Sequence, residues 1–121
     1  MIVDSGKKEL GDLLIGATPS AAFAWIAVGD GGDDTSTSQT ELDNEISRKA
    51  ATVTRVCNTL VYNVTFTGSD LTSNLVRELG IFNKATKGAS NEVLLTRVNF
   101  NAIGPLTSSD SVAFIFRLEV E

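Results

Sequence analysis

VAFIFRLEVE, residues 112–121, alternates without a break: Val112, Phe114, Phe116, Leu118 and Val120 on one side, Ala113, Ile115, Arg117, Glu119 and Glu121 on the other. Successive side chains of an extended chain point to opposite faces, so this run predicts a strand with one face on a core and one toward solvent. Upstream, TVTRVCNTLVYNVTFT at residues 52–67 repeats the pattern. Val56, Leu60, Tyr62, Val64 and Phe66 oppose Arg55, Thr59, Asn63 and Thr65, and only Asn58 interrupts the apolar row. That reads as one long half-buried strand, or two with a bulge near Cys57 and Asn58.

Further from these runs, residues 21–28 are apolar throughout, with Phe23, Trp25, Ile26 and Val28, as suits a strand covered on both faces. Leu75 to Phe82 alternates again, and residues 93–100 resume extended structure after a polar connection with Gly88. Turns are expected at 68–73 and at Gly104-Pro105, and a break at Thr18-Pro19-Ser20. Residues 5–15 read as a short helix capped by Ser5, ended by Gly16, with Leu10, Leu13 and Leu14 on one face. Gly6 and Gly11 weaken that helix. Residues 29–39 form a Gly, Asp, Ser and Thr loop, and Ser38 to Glu41 and Thr40 to Asp43 place hydroxyls three residues before carboxylates. A helical turn over 41–46 is therefore expected, with Leu42 and Ile46 on its buried face. Several strands separated by turn signals, with little helix, predict an all-β fold: an antiparallel β-sandwich, jelly-roll or immunoglobulin-like, with short helices near the N-terminus and at 41–46. At 121 residues the expectation is a single domain spanning 1–121 with a core of its own.

Composition narrows the function. A net charge of -5, with basic residues scattered singly apart from Lys7-Lys8 and Arg48-Lys49, argues against a nucleic-acid partner, whose phosphates demand a basic surface. No apolar run is long enough to cross a bilayer, and the first residues lack the layout of a secretory signal, so no membrane partner is expected and synthesis inside a cell fits. With one cysteine, no intrachain disulfide forms.

The chemical inventory is thin. The chain has no histidine, so arrangements built on a Ser-His or Cys-His pair are unavailable. Cys57 lies in an alternating stretch near Arg55 and reads as a buried or half-buried structural thiol. Asp30, Asp33 and Asp34 in GDGGDD are weak candidate calcium ligands, but their spacing misses the calcium-loop template, and a solvated turn is the simpler reading. Their charge also opposes a phosphate cradle. No pair of carboxylates stands out for sugar hydrolysis. No enzyme activity, cofactor or catalytic residue is assigned. Asn63-Val64-Thr65 reads as an ordinary strand tripeptide. Charged residues set in apolar stretches remain: Glu45 with Arg48, Glu78 in LVRELGIF and Arg97 in LLTRVNF. Each either enters an ion pair that locks strand order or points outward, and the alternation around Glu78 and Arg97 leaves both open.

These residues also fall in an ordered pattern. Ile26-Ala27-Val28-Gly29, a Gly/Asp/Ser/Thr loop, Thr40-x-Leu42-x-x-Glu45-x-x-Arg48, Glu78-Leu79-Gly80-Ile81-Phe82 and Leu94-Leu95-x-Arg97-x-x-Phe100 together resemble tail-fibre and tail-collar-like structural proteins of tailed bacteriophages. The resemblance implies a non-enzymatic virion protein, made in the host cytoplasm, that self-assembles as a homo-oligomer and docks on tail, collar, neck or capsid proteins. It implies structural roles for Gly29, Thr40, Leu42, Glu45, Arg48, Glu78, Gly80, Phe82, Arg97 and Phe100, and contacts with neighbours from residues 1–16. The absence of a distal shaft in this chain points to an adaptor, collar or decorating role. The alternative is a ligand- or carbohydrate-binding sandwich, with Trp25 and Tyr62 as aromatic platforms and calcium at the Asp-rich loop.

Overall fold

A computed structural model of the chain describes residues 1–16, 22–72 and 75–119. Among these residues one helix, α1 (Asp4–Ile15), precedes seven strands: β1 (Trp25–Gly29), β2 (Glu45–Ala50), β3 (Thr52–Val56), β4 (Thr59–Thr67), β5 (Val76–Phe82), β6 (Leu94–Ile103) and β7 (Ser111–Glu119). They form two antiparallel sheets, ordered β2-β1-β5-β6 and β3-β4-β7. The expected break at Thr18-Pro19-Ser20 lies outside the described residues, as do Ser73 and the last two positions of the alternating C-terminal run.

The facing sides of the sheets share a core in which Ile26, Val28, Leu79 and Ile81 meet Tyr62, Val64 and Phe66. Each such side chain fully withdrawn from water contributes about 1.5–3 kcal/mol. Their even spacing in β4 puts them on one face, as the alternation predicts. The four-stranded sheet is buried on its other face too, where Ala27, Phe82 and Leu94 pack with Val3 and Leu42. That double cover explains why Ile26, Ala27 and Val28 are apolar in succession and wholly buried.

Cys57 and Asn58 form the turn between β3 and β4, whose register closes on Val56 opposite Thr59. The chain reverses there with Cys57 at φ 55°, so the 52–67 run is a hairpin and not one strand. Reversal also swaps faces: Val56 points outward, 64% exposed, whereas Val53 and Arg55 share the side of Tyr62 and Leu60. Cys57 is exposed at the tip, correcting the expectation of a buried thiol.

The helical turn expected over 41–46 is absent. Residues 41–44 are irregular, and Glu45 already begins β2, opposite Gly29. The N–H groups of Asp43 and Asn44 are donated to the Glu78 carboxylate, at 2.8 and 3.1 Å, so a partner from β5 replaces the helical arrangement.

Helix α1 ends as expected at Gly16, in the left-handed region at φ 71°. Its start differs, because Val3 occupies the cap position with no side-chain cap, and the Ser5 hydroxyl is buried without a hydrogen bond. Leu10, Leu13 and Leu14 share one face as expected, and the buried positions lie elsewhere on the helix. Gly6 and Glu9 are buried, whereas Leu14 is 88% exposed. A Cβ on Gly6 would stand 2.6 Å from the Leu95 carbonyl oxygen, so glycine is what lets the helix lie directly on β6. Ahead of it, Met1 and Arg97 exchange backbone hydrogen bonds and Val3 donates to Leu95, so Met1–Val3 line the edge of β6. Much of residues 1–16 is thus engaged within the chain.

Candidate functional site

Charged residues set in apolar sequence converge in the structure as two buried centres. In the first, Glu78 on β5 and Arg97 on β6 lie on the outer face of the four-stranded sheet, each 0% exposed. Neighbouring antiparallel strands bring them together: Gly80 pairs with Arg97 and Glu78 with Asn99. Arg97 Nε donates to Glu78 Oε1 at 3.0 Å, and Nη2 to Asp43 Oδ2 at 3.1 Å. Its Nη1 donates to the Asp33 carbonyl at 2.9 Å and to Gln39 Oε1 at 3.4 Å. All three guanidinium nitrogens are therefore engaged, and Glu78 is matched by Arg97 and two backbone N–H groups. Residues 30–44, with little regular structure of their own, are held across the sheet by this centre. Close approach depends on missing side chains: a Cβ on Gly31 would collide with the Glu78 carboxylate, and one on Gly29 with the Asn44 carbonyl.

In the second centre, Arg48 on β2 makes a two-pronged contact with Glu45, at 2.9 and 2.7 Å, and reaches Glu92 at 2.6 Å and the Lys84 carbonyl at 3.0 Å. Its guanidinium stacks 3.8 Å from the Phe82 ring centre. Burial disfavours the Arg48 charge, but hydrogen bonds and attraction from Glu45 and Glu92 outweigh it and raise its pKa. This centre ties the 83–93 connection to β2. Alongside, Asn83 donates to Glu9 at 3.2 Å and to the Asn91 carbonyl, and accepts from the Val93 N–H, joining helix and loop. Nothing in the sequence spacing pointed to Glu9, Asn83 or Glu92, since their contacts cross long separations.

Of the remaining residues of the ordered pattern, some pack beside these centres and others do not. Leu42 is buried and packs over Gly80, where a Cβ would stand 2.8 Å from Leu42 Cδ2. Phe82 is buried beneath Arg48, Phe100 packs on Phe114, and Thr40 is exposed in the loop. The ion-pair reading of Glu45, Arg48, Glu78 and Arg97 thus holds over the outward-pointing one.

Asp30, Asp33 and Asp34 do not converge. Asp30 accepts from the Asn44 amide, Asp33 gives its N–H to Asp43 and its carbonyl to Arg97 and Asn99, and Asp34 is exposed. Among the described residues no group of His, Cys, Asp or Glu side chains is arranged to hold a metal ion. Tyr62 is also unavailable as a platform, being 2% exposed with its hydroxyl donated to the Phe23 carbonyl at 2.9 Å; burial raises its pKa. Trp25 is half-buried against the second core cluster.

One sizeable hollow lies between the leucine face of α1 and one end of the three-stranded sheet, about 590 Å³ in volume. Leu10, Leu13 and Leu14 form one wall, and Val53, Leu60 and Leu118 the other. Among the described residues Glu119 is the only carboxylate lining it. Such a groove suits an apolar group, and its described lining holds no nucleophile paired with a base. Comparison with known proteins found no matching family model, no matching curated protein and no matching solved structure.

Proposed function

We propose that this chain is a non-enzymatic structural protein of a tailed-virus particle, a β-sandwich that assembles with copies of itself and docks on tail, neck or capsid. The observation that carries the reading is the use made of Glu45, Arg48, Glu78 and Arg97. These residues of the ordered pattern are spent on pinning two long connections to one sheet, with their hydrogen-bonding groups engaged inside the chain. Residues that hold a rigid shape and face no cleft suit a repeated building block better than a turnover site. The strand order β2-β1-β5-β6 and β3-β4-β7 departs from the ABED and CFG arrangement of immunoglobulin domains, so within the sandwich class we favour another form.

The test is direct. Mass spectrometry of purified particles from a lysate containing this protein should recover it in fixed ratio to the tail or capsid proteins, and antibody labelling in electron micrographs should mark one place on the particle. Recovery only in the particle-free supernatant would end the proposal.

A further inference from the structure

Each sheet has two edges, and three of the four are guarded. The β6 edge is lined by Met1–Val3, and β2 carries Glu45, Arg48 and Lys49. β3 is only 5 residues long and holds Arg55. β7 is the least blunted of the four, its charges Arg117 and Glu119 being confined to its last three residues. It runs for 9 residues in unbroken register with β4, without proline or bulge, and residues 111–116 are uncharged. Its other side has no strand partner among the described residues. Proteins ordinarily blunt such an edge with charge, proline, a bulge or a cover, and a long flat apolar edge left bare is a place where another strand adds.

The packing on β7 is unfinished in the same direction. Val112, Phe114, Phe116 and Leu118 point inward yet stay only partly buried, whereas their β4 neighbours Tyr62, Val64 and Phe66 are 2%, 5% and 0% exposed. On the outward side Ile115, at the middle of the strand, is 55% exposed. We propose that the occupant of this edge is β7 of a second copy, paired antiparallel about a twofold axis through Ile115. This deepens the self-assembly part of the proposed function and rests on that reading for its biological setting.

The register argues for a second copy. Pairing Ile115 with Ile115 overlaps the whole strand and sets Phe114 beside Phe116 and Val112 beside Leu118, so inward residues meet inward residues at every position. Arg117 falls opposite Ala113 and Glu119 opposite Ser111, so no like charges meet. Phe116 lies edge-on to Tyr62 with ring centres 6.5 Å apart, and Phe114 to Phe66 at 6.2 Å. Joining Phe116 to Phe114 of the second copy links these pairs into one aromatic row across a six-stranded sheet. A twofold supplies both matching strands from one sequence.

The experiment is sedimentation equilibrium of the recombinant full chain from low to high micromolar concentration. The expected result is a mass rising from 12.8 kDa toward twice that value. Ile115→Lys, on the exposed face, places two lysines opposite each other at the axis and should return the mass to that of the monomer, with melting unchanged at dilutions where the parent is itself monomeric. Ile115→Glu should do the same alone, and an equimolar mixture of the two variants should regain the dimer. A parent chain monomeric at every concentration, an Ile115→Lys chain that still dimerises, or a mixture that stays monomeric would each overturn the proposal. Because the assay uses isolated protein, its failure is distinguishable from absence of the protein in particles.

Discussion

Replacing Arg97 with methionine should be among the most damaging single changes available in this chain. Methionine matches the length of the arginine stem but leaves Glu78, itself 0% exposed, without its cation, and removes the hold on Asp43, Asp33 and Gln39. Removing one partner of a buried ion pair costs about 3–5 kcal/mol, because the other charge stays withdrawn from water. Entropy of unfolding near 2.1 cal/mol/K per residue over 121 residues is about 0.25 kcal/mol/K, which makes the expected fall in Tm about 12–20 °C. Thermal unfolding of Arg97→Met, Glu78→Gln and the double variant measures this. The double variant should be more stable than Arg97→Met alone, since glutamine strands no charge and its one carbonyl oxygen still accepts from one of the two N–H groups of Asp43 and Asn44. Limited proteolysis should cut Arg97→Met first within residues 30–44. A fall in Tm below about 4 °C, or a double variant no better than Arg97→Met, would refute the claim that this pair holds the loop to the sheet.

Three further outcomes are expected. Arg48→Met should lose about 2–4 kcal/mol, through the Glu45 and Glu92 pairs and the stacking on Phe82, and hydrogen exchange should speed up across residues 83–93 more than elsewhere. Gly6→Ala should destabilise by about 1–3 kcal/mol despite alanine's better helix propensity, because the new methyl meets backbone of Leu95; urea unfolding reads the sign, and stabilisation would remove the close-approach argument. Lys49 and the Thr67 N–H hold the Asp70 carboxyl below its ordinary value of 3.8, so its contribution is present above that pH and fades as pH falls through the depressed value. The Tm difference between parent and Asp70→Asn should accordingly be constant near neutrality and shrink in acid.

Strand content was legible because its signal is local. In β4 and β7 every second residue is apolar, and that period alone assigns the faces of Tyr62, Val64 and Phe66. The unbroken apolar run at Ile26–Val28 likewise announces cover on both sides. Gly16 marked the helix end for an equally local reason, since a left-handed residue is cheapest as glycine. The 41–46 segment was misread because its capping signals are genuine hydroxyl-and-carboxylate spacings, yet the N–H groups of Asp43 and Asn44 are claimed by Glu78, which is 35 and 34 positions away. That Gly6 and Glu9 are the buried positions of α1 was not legible, because it depends on close approach to Leu95 and on a hydrogen bond from Asn83 to Glu9.

The sequence by itself therefore determined the alternating strands, the doubly covered β1 and the absence of histidine chemistry, each of which depends on residue type and nearest neighbours alone. Only the tertiary structure decided where the charges go. Arg97 meets Asp43 across 54 positions, and Arg48 meets Glu92 across 44. An isolated charge in an apolar run is equally consistent with a solvent face until strand pairing brings its partner, because the cost of burial is offset only by a group that the local sequence does not contain.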